Sequence, residues 1–122
     1  MILLVDDKPE NLFSLSSVLS QHGFSSDTAQ SGEEALKKLL RHDYALVILD
    51  VQMPVMDGIT ATRLLRARPE TARVPIIALT AYSRDADWQT RALEAGCIDC
   101  LSKPLEWARF EDVLRKIKKP GP

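Results

Sequence analysis

The stretch Ala45-Leu46-Val47-Ile48-Leu49-Asp50 decides the fold. It is a short apolar run with no polar alternation, ended by an acid. Such a run suits a strand buried on both faces, as in a parallel sheet covered by helices. Working outward, two similar runs stand at Ile2 to Val5 and Ile76 to Leu79. Two weaker segments, Phe24 to Ala29 and Ile98 to Ser102, mix Ser, Asp and Thr with apolar residues, as edge strands can.

Helical periodicity fills the gaps. Leu12, Leu15, Val18 and Leu19 form a stripe after Pro9, and Gly23 is a natural stop. Ser31 with Glu34 has the capping-box spacing, and Ala35, Leu36, Leu39 and Leu40 are expected to face the core. Asp57 can cap the next helix, which carries Ile59, Ala61, Leu64 and Leu65. A fourth helix starts at Ser83 or Asp85, carries Ala92 and Leu93, and closes at Gly96. Phe110, Val113, Leu114 and Ile117 stripe the last one.

The order is βαβαβαβαβα, which implies right-handed crossovers and a three-layer α/β sandwich. The most apolar strands are the first, third and fourth, so the second and fifth are expected at the edges. That gives five parallel strands in the order 2-1-3-4-5 with five helices, the flavodoxin-like arrangement. Residues 1–118 form one domain, and 119–122 read as a tail or the start of a linker.

The totals agree. A chain of 122 residues suits one domain that needs no staple. Sixteen basic against 17 acidic residues leave a net charge of -1, which gives no electrostatic case for direct contact with nucleic acid or an anionic membrane. No stretch could span a bilayer. The N-terminal apolar run lacks a basic leader and stops at Asp6 and Asp7, so it does not read as a signal peptide. The expected location is the cytoplasm.

In such folds chemistry sits beyond the carboxyl ends of the strands. Asp6 and Asp7 follow the first strand, Asp50 ends the third, Thr80 ends the fourth, and Lys103-Pro104 follows the fifth. Converging carboxylates repel one another and need a counter-charge. Hard oxygen ligands in an incomplete cage favour Mg²⁺, with Mn²⁺ as its substitute. A carboxylate, a divalent metal, a lysine and a hydroxyl suit phosphoryl transfer. Asp50 would be the nucleophile. As single residues, each has a plainer role: a cap, a strand residue or a solvated charge.

The segments Leu4-Val5-Asp6-Asp7, Leu49 to Gly58, Leu79-Thr80-Ala81 and Ser102-Lys103-Pro104 resemble the receiver domains of two-component response regulators. The resemblance covers essentially the whole chain. It implies a regulatory domain, not a free-standing enzyme, in which Asp50 accepts phosphate from a histidine kinase or a histidine phosphotransfer protein. It implies Mg²⁺ held by Asp6, Asp7, Asp50 and the backbone carbonyl of Gln52. Asp6 would act largely through metal-bound water and by holding Lys103. Lys103 and Thr80 would contact the phosphoryl oxygens, with backbone amides from Val51 and Ala81. The output surface, for an effector or a dimer partner, would be the fourth helix, fifth strand and fifth helix. Such a domain can stand alone or belong to a hybrid histidine kinase or longer regulator.

Cys100 departs from the pattern, since many receivers carry an aromatic switch residue there. The rival readings are fewer. An aspartyl-phosphate hydrolase would need a second acid where Gln52 stands. A flavodoxin-like cofactor binder would want a Ser/Thr/Gly-rich loop in place of Asp6-Asp7-Lys8-Pro9. A receiver-like interaction domain that works without phosphorylation is the alternative, though none of the acids and not the lysine is missing. Cys97-Ile98-Asp99-Cys100 leads into a strand, where residues three apart face opposite sides, so structural cysteines are expected. His22 and His42 are expected on the surface. Trp88 and Trp107 fit either partial burial or a partner surface.

Overall fold

Five parallel strands and five helices alternate along the chain of this computed structural model: β1 (Ile2–Val5), α1 (Pro9–Gln21), β2 (Ser26–Ala29), α2 (Gly32–Arg41), β3 (Leu46–Asp50), α3 (Gly58–Arg66), β4 (Ile76–Thr80), α4 (Ala86–Ala95), β5 (Asp99–Ser102) and α5 (Trp107–Ile117). The structure describes residues 1–50, 58–80, 86–102 and 106–117, and at positions 50, 58, 59, 80, 86, 88, 102, 116 and 117 it describes the backbone alone. The strand order is β2-β1-β3-β4-β5, as expected. The expected Asp57 cap, the expected helix start at Ser83 or Asp85, and residues 118–122 lie outside the described residues.

The unalternating runs are buried on both faces because the sheet separates two cores. Leu3, Val5, Val47, Leu49, Ile76 and Ala78 pack with Ala35, Leu39, Ala61, Leu65, Ala92 and Ala95 of α2, α3 and α4. Ile2, Leu4, Leu46, Ile48, Ile77 and Leu79 pack with Leu12 and Leu19 of α1 and with Phe110, Val113 and Leu114 of α5. Three expected core positions are instead exposed: Leu40, Leu64 and Leu93. Each lies one residue from a buried neighbour, about 100° around the helix, where the stripe has already turned from the sheet.

Both edge strands are shorter than expected. Gly23 takes a φ of 84° and ends α1, and Phe24 folds back so that its N–H donates to Leu19 O at 2.9 Å. Phe24 thus packs beside the α1–α5 core before β2 begins. Ile98 also precedes its strand and is exposed, although its N–H donates to Ile76 O. At α2, Ser31 Oγ accepts from Glu34 N–H at 3.1 Å, and Glu34 reaches back to Gln30 N–H at 3.2 Å.

Arg66, at the end of α3, fastens the amino-terminal side of the sheet. Its guanidinium donates to Gly96 O at 2.8 and 3.0 Å, to Val74 O at 2.6 Å, to Ala72 O at 3.0 Å and to Thr71 O at 3.4 Å. Gly96 closes α4 at φ 119°, and a Cβ there would lie 2.6 Å from Arg66 Cγ. Only glycine fits both the backbone and the space.

Asp27, on edge strand β2, carries a polar network. Tyr44 Oη donates to it at 2.6 Å, Lys38 Nζ at 3.1 Å and Thr28 N–H at 2.9 Å; Lys38 also donates to Thr28 O. The Tyr44 hydroxyl and then Lys38 hold the Asp27 carboxyl below its usual 3.8, against some desolvation. Desolvation, then the bond to Asp27, pushes Tyr44 up to about 12. A lowered carboxylate pKa stabilises the fold above 3.8, and that contribution fades as pH falls through the folded value. A raised phenol pKa stabilises below 10, and its contribution fades as pH rises toward 12. Tyr44→Phe should therefore cost about 1 kcal/mol at neutral pH. It should also flatten the fall in urea midpoint below about pH 4 and above about pH 10. Unchanged slopes on both limbs would remove the network from the fold's pH response.

Candidate functional site

Strand register brings the sequence-predicted positions to one rim. Val5 lies opposite Leu49, so the residues that come next, Asp6 and Asp50, leave neighbouring strands at the same level. Asp50 lies opposite Leu79, one residue before Thr80, and Thr80 lies opposite Ser102, one residue before Lys103. Neighbouring strands are about 4.8 Å apart. Four remote segments thus end side by side on the carboxyl edge. The structure gives Asp50 and Thr80 as backbone positions only, while Val51, Gln52, Ala81 and Lys103 lie outside the described residues.

The acids after β1 are described in full. Asp6 is buried at 6% exposure, an unusual place for a carboxylate unless its oxygens are engaged. Oδ1 accepts from Lys8 N–H at 3.0 Å and Oδ2 from Asn11 Nδ2 at 3.1 Å. Lys8 is the N-cap of α1, and its own side chain makes no cap bond. Asp6 satisfies the cap N–H instead, and sits where the helix dipole favours negative charge. Asp7 is half-buried beside it. Asn11 is the residue that sequence reasoning missed. Its signal, a polar residue in the first turn, is too common to single out.

The candidate side-chain ligands on this rim are all hard carboxylate oxygens. Asp6 is oriented by two protein donors, Asp7 is partly open, and the backbone of Asp50 is one strand away. The set matches a divalent cation that keeps part of its water shell, as Mg²⁺ does.

Elsewhere the chemistry is quiet. Cys97 and Cys100 are both buried and unbridged. They do not face opposite sides: both pack in the core under α2, α3 and α4, because Cys97 lies in the turn before β5 and outside the strand alternation. Burial pushes the Cys97 thiol up, against the Thr62 hydroxyl and Arg66, and burial pushes Cys100 to about 11. Such thiols are inert at neutral pH. His22 and His42 are exposed helix C-caps. Trp107 is half-buried, stacked on His22 at 3.5 Å between ring centroids and packed near Phe24 and Phe110. Partial burial is thus the outcome for Trp107, whereas the Trp88 side chain is not described. No helix among the described residues is long and apolar enough to cross a membrane.

Comparison with known proteins places this rim in a wider setting. A family model described as the response regulator receiver domain matches residues 2–115. The chain is 41% identical to the transcriptional regulatory protein CpxR homolog of Haemophilus influenzae, over 98% of this chain and 52% of that protein. The chain thus spans about half of that relative, and only 4% of a hybrid histidine kinase from Dictyostelium discoideum. Among solved structures, the receiver domain of sensor histidine kinase PA1611 from Pseudomonas aeruginosa, with a magnesium ion coordinated in its active site cleft, is 35% identical with a TM-score of 0.85, covering 98% of this chain and 97% of that one. A chain in the co-crystal structure of the Saccharomyces cerevisiae histidine phosphotransfer protein Ypd1 with the receiver domain of the response regulator Ssk1 is 31% identical with a TM-score of 0.81, covering 94% of this chain and 86% of that one.

Proposed function

We propose that this chain, which belongs to the response regulator receiver domain family, accepts a phosphoryl group on Asp50 from a phosphohistidine donor and thereby switches a protein-interaction surface. The carrying observation is the register that ends β1, β3, β4 and β5 side by side. The donor would be a histidine kinase or a histidine phosphotransfer protein, a partner class supported by the likeness to the Ypd1–Ssk1 co-crystal.

Asp50 would act as nucleophile. One carboxylate oxygen attacks phosphorus, an O–P bond forms, and the N–P bond of the donor breaks. The imidazole nitrogen leaves with the electron pair and takes up a proton. Asp6, Asp7, Asp50 and the Gln52 carbonyl would hold Mg²⁺, a reading that the magnesium in the PA1611 receiver supports. When bound, the ion supplies positive charge against the acids and the phosphoryl oxygens. Lys103 would add a fixed positive charge, and the Thr80 hydroxyl would donate to a phosphoryl oxygen. If those two contacts exist in only one of two conformations, phosphorylation shifts the balance toward it. The output surface would be α4, β5 and α5. Buried, reduced Cys97 and Cys100 suit a reducing compartment, which supports a cytoplasmic location.

Incubation with acetyl phosphate and Mg²⁺, then intact mass measurement, tests this reading. The expected result is a single phosphoryl adduct that disappears when a chelator replaces the metal. An unmodified protein would overturn the reading in favour of an interaction domain that works without phosphorylation.

A further inference from the structure

Asp6 is the most buried acid among the described residues, and one side chain that reaches it, Asn11, comes from outside the motifs that define the rim. Asn11 occupies the third position of α1, and its own N–H donates to Lys8 O at 3.1 Å. Its amide nitrogen then meets Asp6 Oδ2 at 3.1 Å, while Lys8 N–H takes Oδ1. The residue at this helix position commonly reaches back to the cap N–H. Here Asp6 has that N–H, and Asn11 holds Asp6.

We propose that Asn11 is a positioning residue of the cation site: it fixes the orientation of the Asp6 carboxylate and so sets the affinity for Mg²⁺. The inference rests on the reading above that Asp6, Asp7 and Asp50 hold the metal. Its physical basis is that an acid held by two donors cannot swivel away when the cation departs. Without Asn11 the Oδ2 side loses this donor, and the carboxylate is held less firmly for the cation. Asn also neutralises no charge, so the site keeps its full attraction for the cation, which a lysine or arginine at the same place would reduce.

The test tracks the thermal midpoint of the whole chain against MgCl₂ at constant ionic strength, since a ligand of the folded state raises that midpoint according to its affinity. Asn11→Leu, which has similar bulk and no donor, should need about tenfold more Mg²⁺ for the same rise. Asn11→Gln should recover most of that loss. In an Asp6→Asn background Asn11→Leu should add nothing, because the two groups act as one unit. A purely structural role would lower the metal-free midpoint and leave the Mg²⁺ dependence alone. If Asn11→Leu does not fold, Asn11→Ser, which suits a first turn but is too short to reach Asp6, carries the same expectations. Wild-type affinity in the variant, or an equal loss in both backgrounds, overturns the proposal. A wild type that binds Mg²⁺ and is phosphorylated, yet gives an additive cycle, sinks only the role of Asn11. A wild type that does neither removes the cation site as well.

Discussion

Asp50→Asn should lose phosphorylation by acetyl phosphate by more than about a thousandfold while the metal-free protein gains roughly 1 kcal/mol of stability. The two halves have one cause. Asp50 leaves β3 at the level of Asp6 on β1, with Asp7 next to it, so several negative charges start from adjacent strands. The amide removes one of them at almost constant shape and relieves the repulsion. It also removes the nucleophile, because the amide oxygen carries no full charge. A variant that merely misfolded would lose both label and stability, so the opposite signs are diagnostic. Intact mass and urea denaturation read the two quantities. Equal labelling of the variant would move the acceptor elsewhere, and reduced stability would deny the crowding of acids at the rim.

Phe110→Ala should cost about 3–5 kcal/mol. Phe110 is fully buried, packs near Trp107 at 5.3 Å between ring centroids, and stands with Val113 and Leu114 in the stripe that fixes α5 on the sheet. Truncation opens a cavity in the core that Phe110 shares with Ile77, Leu79 and Leu101, whose strands cannot collapse to fill it. Against a typical total of about 5–15 kcal/mol, the loss should lower the thermal midpoint by about 10–20 °C. A cost below about 1 kcal/mol would mean that Phe110 is not the anchor of α5.

The strands were legible because burial on both faces leaves an unbroken apolar run that few other structures produce. Leu46 to Leu49 alternate between two cores, and both cores demand the same residue type. The helices were less legible at their margins. Leu40, Leu64 and Leu93 satisfy the same spacing as their buried neighbours, and only the width of the sheet below decides which are covered. Cys97 was misread because alternation begins at Asp99, and spacing alone does not mark where a strand starts. At the rim, Asp6, Asp7, Asp50 and Thr80 were legible because each stands at, or just past, the carboxyl end of an apolar run. Asn11 was not, since its role depends on a helix turning one amide back onto a buried acid.

The Arg66 clamp carries a mechanical consequence. It grips Gly96 O, just beyond the last turn of α4, together with the carbonyls of Thr71, Ala72 and Val74 that lead into β4. Helix α4 is therefore fastened at the end away from the rim. Its other end, at Ala86, lies about 14 Å along the axis, beyond the carboxyl end of β4. A helix held this way is a lever with its fulcrum at Gly96. Any tilt about that fulcrum would move Ala86 most and Ala95 least, with the carbonyls gripped by Arg66 nearest the pivot.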